Sequence, residues 1–586
     1  MATLVETPPQ AMAAGVVRPP GTAPAEGAPA PAANPWIVAI SVMLATFMEV
    51  LDTAIASVAL PYIAGSMAAS NSEATWVLTS YLIANAVVLP ASNWFALRFG
   101  RKRFLITCVV VFTFASFWCG AAPSLWLLLL ARVVQGAGGG ALQPLSQAIL
   151  LESFPPKKRG QAMALFGFGV VVAPVLGPTL GGWLTDSWSW RYAFYINIPV
   201  GILAVYMISR FVHDPPYVKN AKAGPFDNVG FGLLCLWTGC LQVILDKGQE
   251  VDWFGALWLR WAVAILATSF VWFVWHSWRK RQPLVNLRIL GRNRNFAVGC
   301  LLVFLLGIAI YVTVAILPLF YQEVLGYTAL TAGIVVAPRG LGSMLGLPVV
   351  GIISHRIDNR WLLSAGFAVF GVCSILFSWV NLGISPTTLL IPIVVTGFAL
   401  SFVFVPIASM AVATLRNEQI GNATGIFNLL RNIGGSIGIS MAETELVRRQ
   451  SFHQSRLAAA VPQTGIWFEG HMAGMNAFFG RALGRAAGEP AALAAMYMQL
   501  QRQAMLWAFV DVFRWTALVA FGAGGLVWLF QRVQHEEDDI QSPGGVQNGS
   551  GGGDAGSASG VRTAAPVPGR EYRHARDEPA AGGRRV

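Results

Sequence analysis

The sequence predicts an all-α membrane protein of about 14 transmembrane helices: two parallel-repeat six-helix halves plus an inserted helix pair. Three observations predict it. The 586 residues are 55% hydrophobic and only 12% charged, with a mean hydropathy of +0.57, whereas soluble domains carry about 25% charged residues. Apolar runs long enough to cross a bilayer recur along almost the whole chain. Segments in the second half repeat the pattern of segments in the first.

The expected spans are 36–60, 74–97, 104–122, 125–150, 161–184, 192–212, 228–246, 256–276, 296–320, 329–353, 362–380, 387–413, 422–444 and 507–531. Gly at 61 and Trp at 21 suit helices that pack closely and anchor at the interfaces. Residues 1–34 are Pro- and Ala-rich and lack the basic-then-apolar pattern of a cleaved signal, so a disordered cytoplasmic tail is expected there. A second, Gly- and Ser-rich one is expected over 532–586. Cys108, Cys119, Cys235, Cys240, Cys300 and Cys373 lie in or beside apolar runs without a CxxC, which reads as packing and not as a metal site.

Loop charge sets the orientation. One set of short loops holds Arg98, Arg101, Lys102, Arg103, Lys157, Lys158, Arg159, Lys219, Lys222, Arg279, Lys280, Arg281, Arg288, Arg292, Arg294, Arg356, Arg360 and Arg416. The opposite set holds little beyond Arg191, Lys247 and Arg260. By the positive-inside rule the first set and both tails are cytoplasmic. The net charge of +12 is therefore topogenic and no nucleic-acid partner is implied. One outer loop, 446–505, is too long and aromatic for a hairpin. It is either an amphipathic excursion on the bilayer surface or a docking surface for an extracytoplasmic partner.

The repeat is specific in places. Val133-Val134-Gln135-Gly136 matches Val394-Val395-Thr396-Gly397, and Gly160, Ala162, Phe166 and Gly177 match Gly421, Ala423, Phe427 and Gly438 at one offset. Arg98 corresponds to Arg356 at an offset that differs by three. Two halves of the same orientation, 35–213 and 295–531, follow, with 227–277 as the inserted pair; such parallel repeats occur in alternating-access transporters.

No Gly-Lys dipeptide exists, so no nucleotide-binding loop of the G-x-x-x-x-G-K type does either. No H-E-x-x-H occurs and no Ser/His/Asp arrangement is suggested, so enzyme readings are weak. An ion gradient remains as the driver, with no cofactor. Glu49 and Asp52 lie three residues apart inside the first span. A charge there is costly and marks a functional site, here proton coupling, with Asp52 the better candidate and Glu49 tuning it. Arg132, with Gln135 in the fourth span, is a natural partner for either acid. In the fifth span Gly169, Ala173, Gly177 and Gly181 fall at four-residue spacing on one helix face, while Pro174 and Pro178 bend the helix, together a candidate gate. Arg98, Gly100 and Arg101 form a loop that would hold the cytoplasmic ends of the second and third spans together. Asn85, Gln135, Asn428 and Arg431 are candidate substrate contacts between the halves.

These residues together resemble the major facilitator superfamily, and more narrowly its 14-span drug:proton antiporters of the EmrB/QacA type. The resemblance covers most of 36–531. It rests on Leu51-Asp52-Thr53 with Ala59-Leu60-Pro61, on Arg132 to Gly136, on Gly177-Pro178 to Gly181-Gly182, and on Trp190-Arg191 through Asn197, Pro199 and Gly201. Leu245-Asp246-Lys247-Gly248 to Asp252-Trp253 and the long last outer loop resemble the EmrB branch. The resemblance implies a bacterial inner-membrane exporter of toxic amphipathic small molecules, working with a periplasmic adaptor (membrane fusion protein) and an outer-membrane channel. The chain departs from the pattern at Asn93 and Leu97, where the family usually has Gly and Asp. Glu49 stands where a neutral residue is usual, and Arg339 and Arg431 add buried positive charge suited to anionic cargo. The same fold carrying a metabolite, siderophore or lipid, or a non-transporting scaffold or sensor, remain alternatives at this level.

Overall fold

The computed structural model describes residues 34–531 apart from 156, 157, 215–223, 355 and 461–465. The expected tails, and Lys157, Lys219 and Lys222 of the topogenic loops, lie outside the described residues. The first half comprises α1 (Pro35–Ser66), α2 (Trp76–Phe99), α3 (Arg101–Ala121), the broken pair α4 (Leu125–Gly139) and α5 (Leu142–Ser153), α6 (Arg159–Ser187) and α7 (Asn197–Phe211). The inserted pair is α8 (Asn228–Lys247) and α9 (Leu257–Arg279). The second half comprises α10 (Arg294–Leu319), the pair α11 (Ala329–Val336) and α12 (Pro338–Ile353), α13 (Asn359–Phe377), α14 (Pro386–Val412), α15 (Asn417–Ala460), α16 (Ile466–Leu483) and α17 (Arg485–Leu526).

Twelve helical segments among the described residues are long and apolar enough to cross a membrane, and the bent α6 brings the number to as many as 13. The remaining expected span, 422–444, is helical but is not among them. It lies in α15, where Asn422, Asn428, Arg431, Asn432 and Glu443 dilute the apolar run. The reason is positional: α15 packs against α2, α5, α10 and α17, so most of these polar side chains face protein and not lipid.

The packing repeats as the sequence does. In the first half α1 packs on α6 and α7, α2 on α4, and α3 on α4 and α7. In the second α10 packs on α15 and α17, α12 on α14, and α13 on α14 and α17. Matched glycines sit at matched crossings. A Cβ on Gly136 would lie 2.4 Å from the Tyr81 carbonyl oxygen, and one on Gly397 1.9 Å from that of Arg339. Across the seam α2 meets α15, and α6 meets α11, α12 and α14.

Two regions depart from a plain bundle. Helix α8 bonds to both halves: Thr79 donates to Asp246 at 2.5 Å on the α2 side, while Ser436 donates to Gln242 at 3.0 Å and Ser440 to the Leu245 carbonyl at 2.7 Å on the α15 side. The stretch 446–505 is neither an irregular loop nor a lone surface helix. Helices α15 and α17 run unbroken for 44 and 42 residues, about 66 and 63 Å at the standard rise, against an apolar bilayer core of about 30 Å. Both therefore extend well past the bilayer; Gln454 with Tyr497 at 3.0 Å joins them along the extension, and His453 with Asp511 at 2.8 Å joins them at its base, where α17 enters its expected span. Helix α16 folds back on α17.

Candidate functional site

Three residues along an α-helix is about 300° of rotation, about 60° short of a full turn. That offset sends Asp52 and Glu49 to different neighbours. Asp52 turns into the first half and Glu49 toward the seam.

Asp52 is fully buried and paired with fully buried Arg132, Nη1 to Oδ2 at 2.7 Å. Its other oxygen accepts from Gln135 Nε2 at 2.9 Å and Asn197 Nδ2 at 2.6 Å. Arg132 also donates through Nε to the Val77 carbonyl at 2.9 Å and through Nη1 to Gln135 Oε1 at 2.7 Å. Ser116 accepts from Gln135 Nε2 at 2.6 Å and from Asn197 at 3.3 Å. The Tyr81 ring lies 4.3 Å under the guanidinium, a further cation stabilisation. Five helices, α1, α2, α3, α4 and α7, thus close one charged knot. Both Asp52 oxygens and the Arg132 Nε and Nη1 donors are used, the kind of compensation a buried pair needs in apolar surroundings, while Arg132 Nη2 has no partner among the described residues.

Glu49 has a separate set of partners. Its carboxylate accepts from Asn85 Nδ2 at 3.1 Å, from the Tyr81 hydroxyl at 3.4 Å and from Gln143 Nε2. The other end of Gln143 accepts from Arg431 Nη2 of the second half. One turn further along α5, Gln147 Oε1 accepts from Asn428 Nδ2 at 2.6 Å. Two glutamines of the first half therefore meet an Arg and an Asn of the second. Tyr81 joins the two clusters, its hydroxyl on Glu49 and its ring under Arg132.

The structure thus places Asn428 and Arg431 at the seam and links Asn85 to Arg431 through Glu49 and Gln143, while Gln135 lies apart from them. Both ends of Gln135 are committed to the Asp52 knot, where Cys119 also donates to Oε1 at 3.4 Å. Arg132 is bonded to Asp52 and not to Glu49. Asn197, Ser116, Tyr81, Gln143 and Gln147 also belong to these two clusters, and no sequence motif marks them as site residues. The available signal was polarity inside apolar runs, Gln143 and Gln147 at i and i+4 above all. Arg339 is buried on α12 and its Nη1 has no partner among the described residues.

The fifth-span motif acts on α1. A Cβ on Gly177 would come within 2.3 Å of Ala54 Cβ, one on Gly169 within 3.3 Å of Met43 Cγ and one on Gly181 within 3.3 Å of Ile55 Cα. Helix α6 bends by 41° between Pro174 and Leu176, as two ring-locked residues that withhold N–H donors require. Gly333 of α11 packs on Pro178, so the bend lies at the seam.

At the loop motif, Gly100 has φ +86° and starts α3. Lys102 donates its backbone N–H to Asp214 at 2.8 Å, and buried Arg101 pairs with Glu152 at the end of α5. Arg98 is exposed. The acid missing at Leu97 is thus replaced in part by acids from α5 and from the segment after α7.

Residues 42–439 match the Major Facilitator Superfamily model. The chain belongs to the major facilitator superfamily. The multidrug export protein EmrB of Escherichia coli K12 is 36% identical over 435 residues, 72% of this chain and 83% of EmrB. The fatty acid resistance protein FarB of Neisseria gonorrhoeae is 37% identical over 441 residues, 73% of this chain and 83% of FarB. The probable multidrug resistance protein EmrY of E. coli K12 is 32% identical over 84% of this chain and 94% of EmrY. Among solved structures, the human organic anion transporter MFSD10 aligns with a TM-score of 0.52 at 16% identity, covering 83% of this chain and 99% of that one, a likeness of fold. Within the superfamily the chain is of the EmrB type: a multi-pass membrane transporter and not an enzyme.

Proposed function

We propose that the chain is a proton-coupled antiporter that exports drugs or other toxic amphipathic compounds across the bacterial inner membrane, with both termini cytoplasmic and no cofactor. The observation that carries the reading is the Asp52–Arg132 pair, buried at 0% side-chain exposure on both sides. A charge pair kept at such cost in a membrane helix marks a coupling site. Protonation of Asp52 cancels its attraction for Arg132 and frees Gln135 and Asn197. The packing of α1, α4 and α7 then changes, and α1 carries that change to the bend of α6. A proton biases the two access states only through its different affinity for them. Multidrug export by EmrB and fatty acid resistance in FarB support small amphipathic cargo.

The second part of the proposal is a tripartite assembly, with a periplasmic adaptor seated on the α15–α17 extension and an outer-membrane channel beyond it. Support comes from the groove lined by Gly470, Gly474, Met475, Phe478 and Phe479 of α16, and from Phe478 at 68% exposure beyond the bilayer-length part of the helices.

The test is efflux of a fluorescent amphipathic cation from proteoliposomes of the purified full chain. Efflux is expected only with an imposed proton gradient. Gradient-independent efflux, or full gradient-driven efflux by Asp52→Asn, would overturn the coupling role.

A further inference from the structure

Arg431 is 2% exposed, and no carboxylate lies within ion-pair distance of it among the described residues. Among the described residues only its Nη2 is used, on Gln143, and Nε and Nη1 have no acceptor. A guanidinium offers five N–H donors and never deprotonates, so a buried one with donors to spare is suited to receive an anion. The acid facing it is Glu49, held one amide away. Gln143 turns its N–H₂ to the Glu49 carboxylate and its oxygen to Arg431. The amide dipole therefore links an anion of the first half to a cation of the second without letting them touch.

We propose that Glu49 fills, in the unloaded protein, the place of a cargo carboxylate, and that the chain takes amphipathic monocarboxylates whose carboxylate replaces Glu49 on the Gln143–Arg431 relay. This rests on the export reading and names its cargo class and specificity residues. The replacement is balanced in hydrogen bonds. An arriving carboxylate accepts from the unused Arg431 donors and from Gln143 Nε2. Glu49, once released, keeps Asn85 Nδ2 and the Tyr81 hydroxyl. The relay spans α1 and α5 of one half and α15 of the other, so the exchange changes a contact across the seam that alternating access must open. Asn428, three residues before Arg431 on the same helix, holds Gln147 and keeps α5 and α15 in register during it. Asp52 takes no part: its oxygens are already committed to Arg132, Gln135 and Asn197.

The experiment is equilibrium binding of radiolabelled decanoate and of decyltrimethylammonium, a chain-matched cation, to the full chain in nanodiscs. Three proteins are compared: wild type, Arg431→Gln and Glu49→Gln. Arg431→Gln should lose decanoate affinity by at least about tenfold, the factor a single charge-assisted hydrogen bond carries, while the cation, relieved of a like charge, binds no more weakly than to wild type and so reports an intact fold. Glu49→Gln should bind decanoate at least about threefold more tightly, because the internal competitor is gone. Absence of decanoate binding by wild type, equal loss of both probes in Arg431→Gln, or weaker decanoate binding in Glu49→Gln would each overturn the proposal. Should Arg431→Gln fail to fold, the Glu49→Gln comparison decides alone. Gradient-driven efflux of the cation from proteoliposomes is measured alongside: if it persists while the binding results fail, only the carboxylate site is lost; if it is absent in wild type, the export reading falls.

Discussion

Replacing Asp52 with Asn tests the charged knot most directly. The carboxylate receives three donors, Arg132 Nη1 and Gln135 Nε2 at 2.7 and 2.9 Å and Asn197 Nδ2 at 2.6 Å, on its two oxygens. An amide has one oxygen, so whichever way the substituted side chain turns, its N–H₂ meets a donor. The fully buried Arg132 meanwhile loses its counter-charge in either orientation, keeps the Val77 carbonyl and Gln135 Oε1 as acceptors, and has an Nη2 that already lacks a partner among the described residues. Leaving one member of a buried pair uncompensated costs about 3–5 kcal/mol. The variant should therefore melt well below wild type when followed by tryptophan fluorescence in detergent, and proteoliposomes containing it should lose gradient-driven efflux. The double variant Asp52→Leu with Arg132→Met removes both charges. It should regain about 1–3 kcal/mol relative to the sum of the single variants but no transport, which separates stability from coupling. A thermally wild-type Asp52→Asn protein with full gradient-driven efflux would refute the reasoning.

Other outcomes follow from the same geometry. Gly177→Ala should cost about 1–3 kcal/mol through overpacking against Ala54, whereas Gly169→Ala, whose Cβ meets the flexible Met43 at 3.3 Å, should cost well under that; paired thermal melts check the contrast. Gly100→Ala should destabilise the N-terminal end of α3 by about 1–2 kcal/mol, since φ is +86° and the added Cβ would sit 2.8 Å from Asp214 Oδ2; melts with and without Asp214→Ser separate strain from contact. Asp227 caps α8 outside the membrane-spanning part. Burial alone would raise its carboxyl, but Lys280, the Gly230 N–H, His276 and the Leu284 N–H outweigh it and hold the pKa at about 2. Its folded value lies below the ordinary value of 3.8, so its contribution is complete above about pH 4 and is lost as pH falls toward 2. Stability scans should show that loss in wild type and not in Asp227→Asn, which should already be weaker at pH 7 by about 0.5–2 kcal/mol because its bonds to Lys280 and His276 lose their charge assistance.

What the sequence determined by itself is what apolar length, charge placement and local repeat encode. The spans follow from a bilayer that admits only continuous hydrogen-bonded helix. The two-half plan follows from Gly136 with Gly397 and Gly177 with Gly438, because close helix crossings tolerate few side chains at those points. The pairing of Arg132 with one of the first-span acids was legible because an unpaired buried charge is too costly to keep. The tertiary structure alone decided which acid. Glu49 and Asp52 are neighbours in sequence, yet a rotation of about 60° puts one among α3, α4 and α7 and the other on a glutamine that reaches the second half. No periodicity carries that choice, since it depends on which helices pack around α1. The same holds for Gln135, which polarity alone assigned to the seam, and for Arg431, whose position against Gln143 is set by the meeting of α5 and α15. The extension of 446–505 was likewise hidden. Its helices continue from α15 and α17 through packing on one another, which a reading of loop length and aromatic content does not contain.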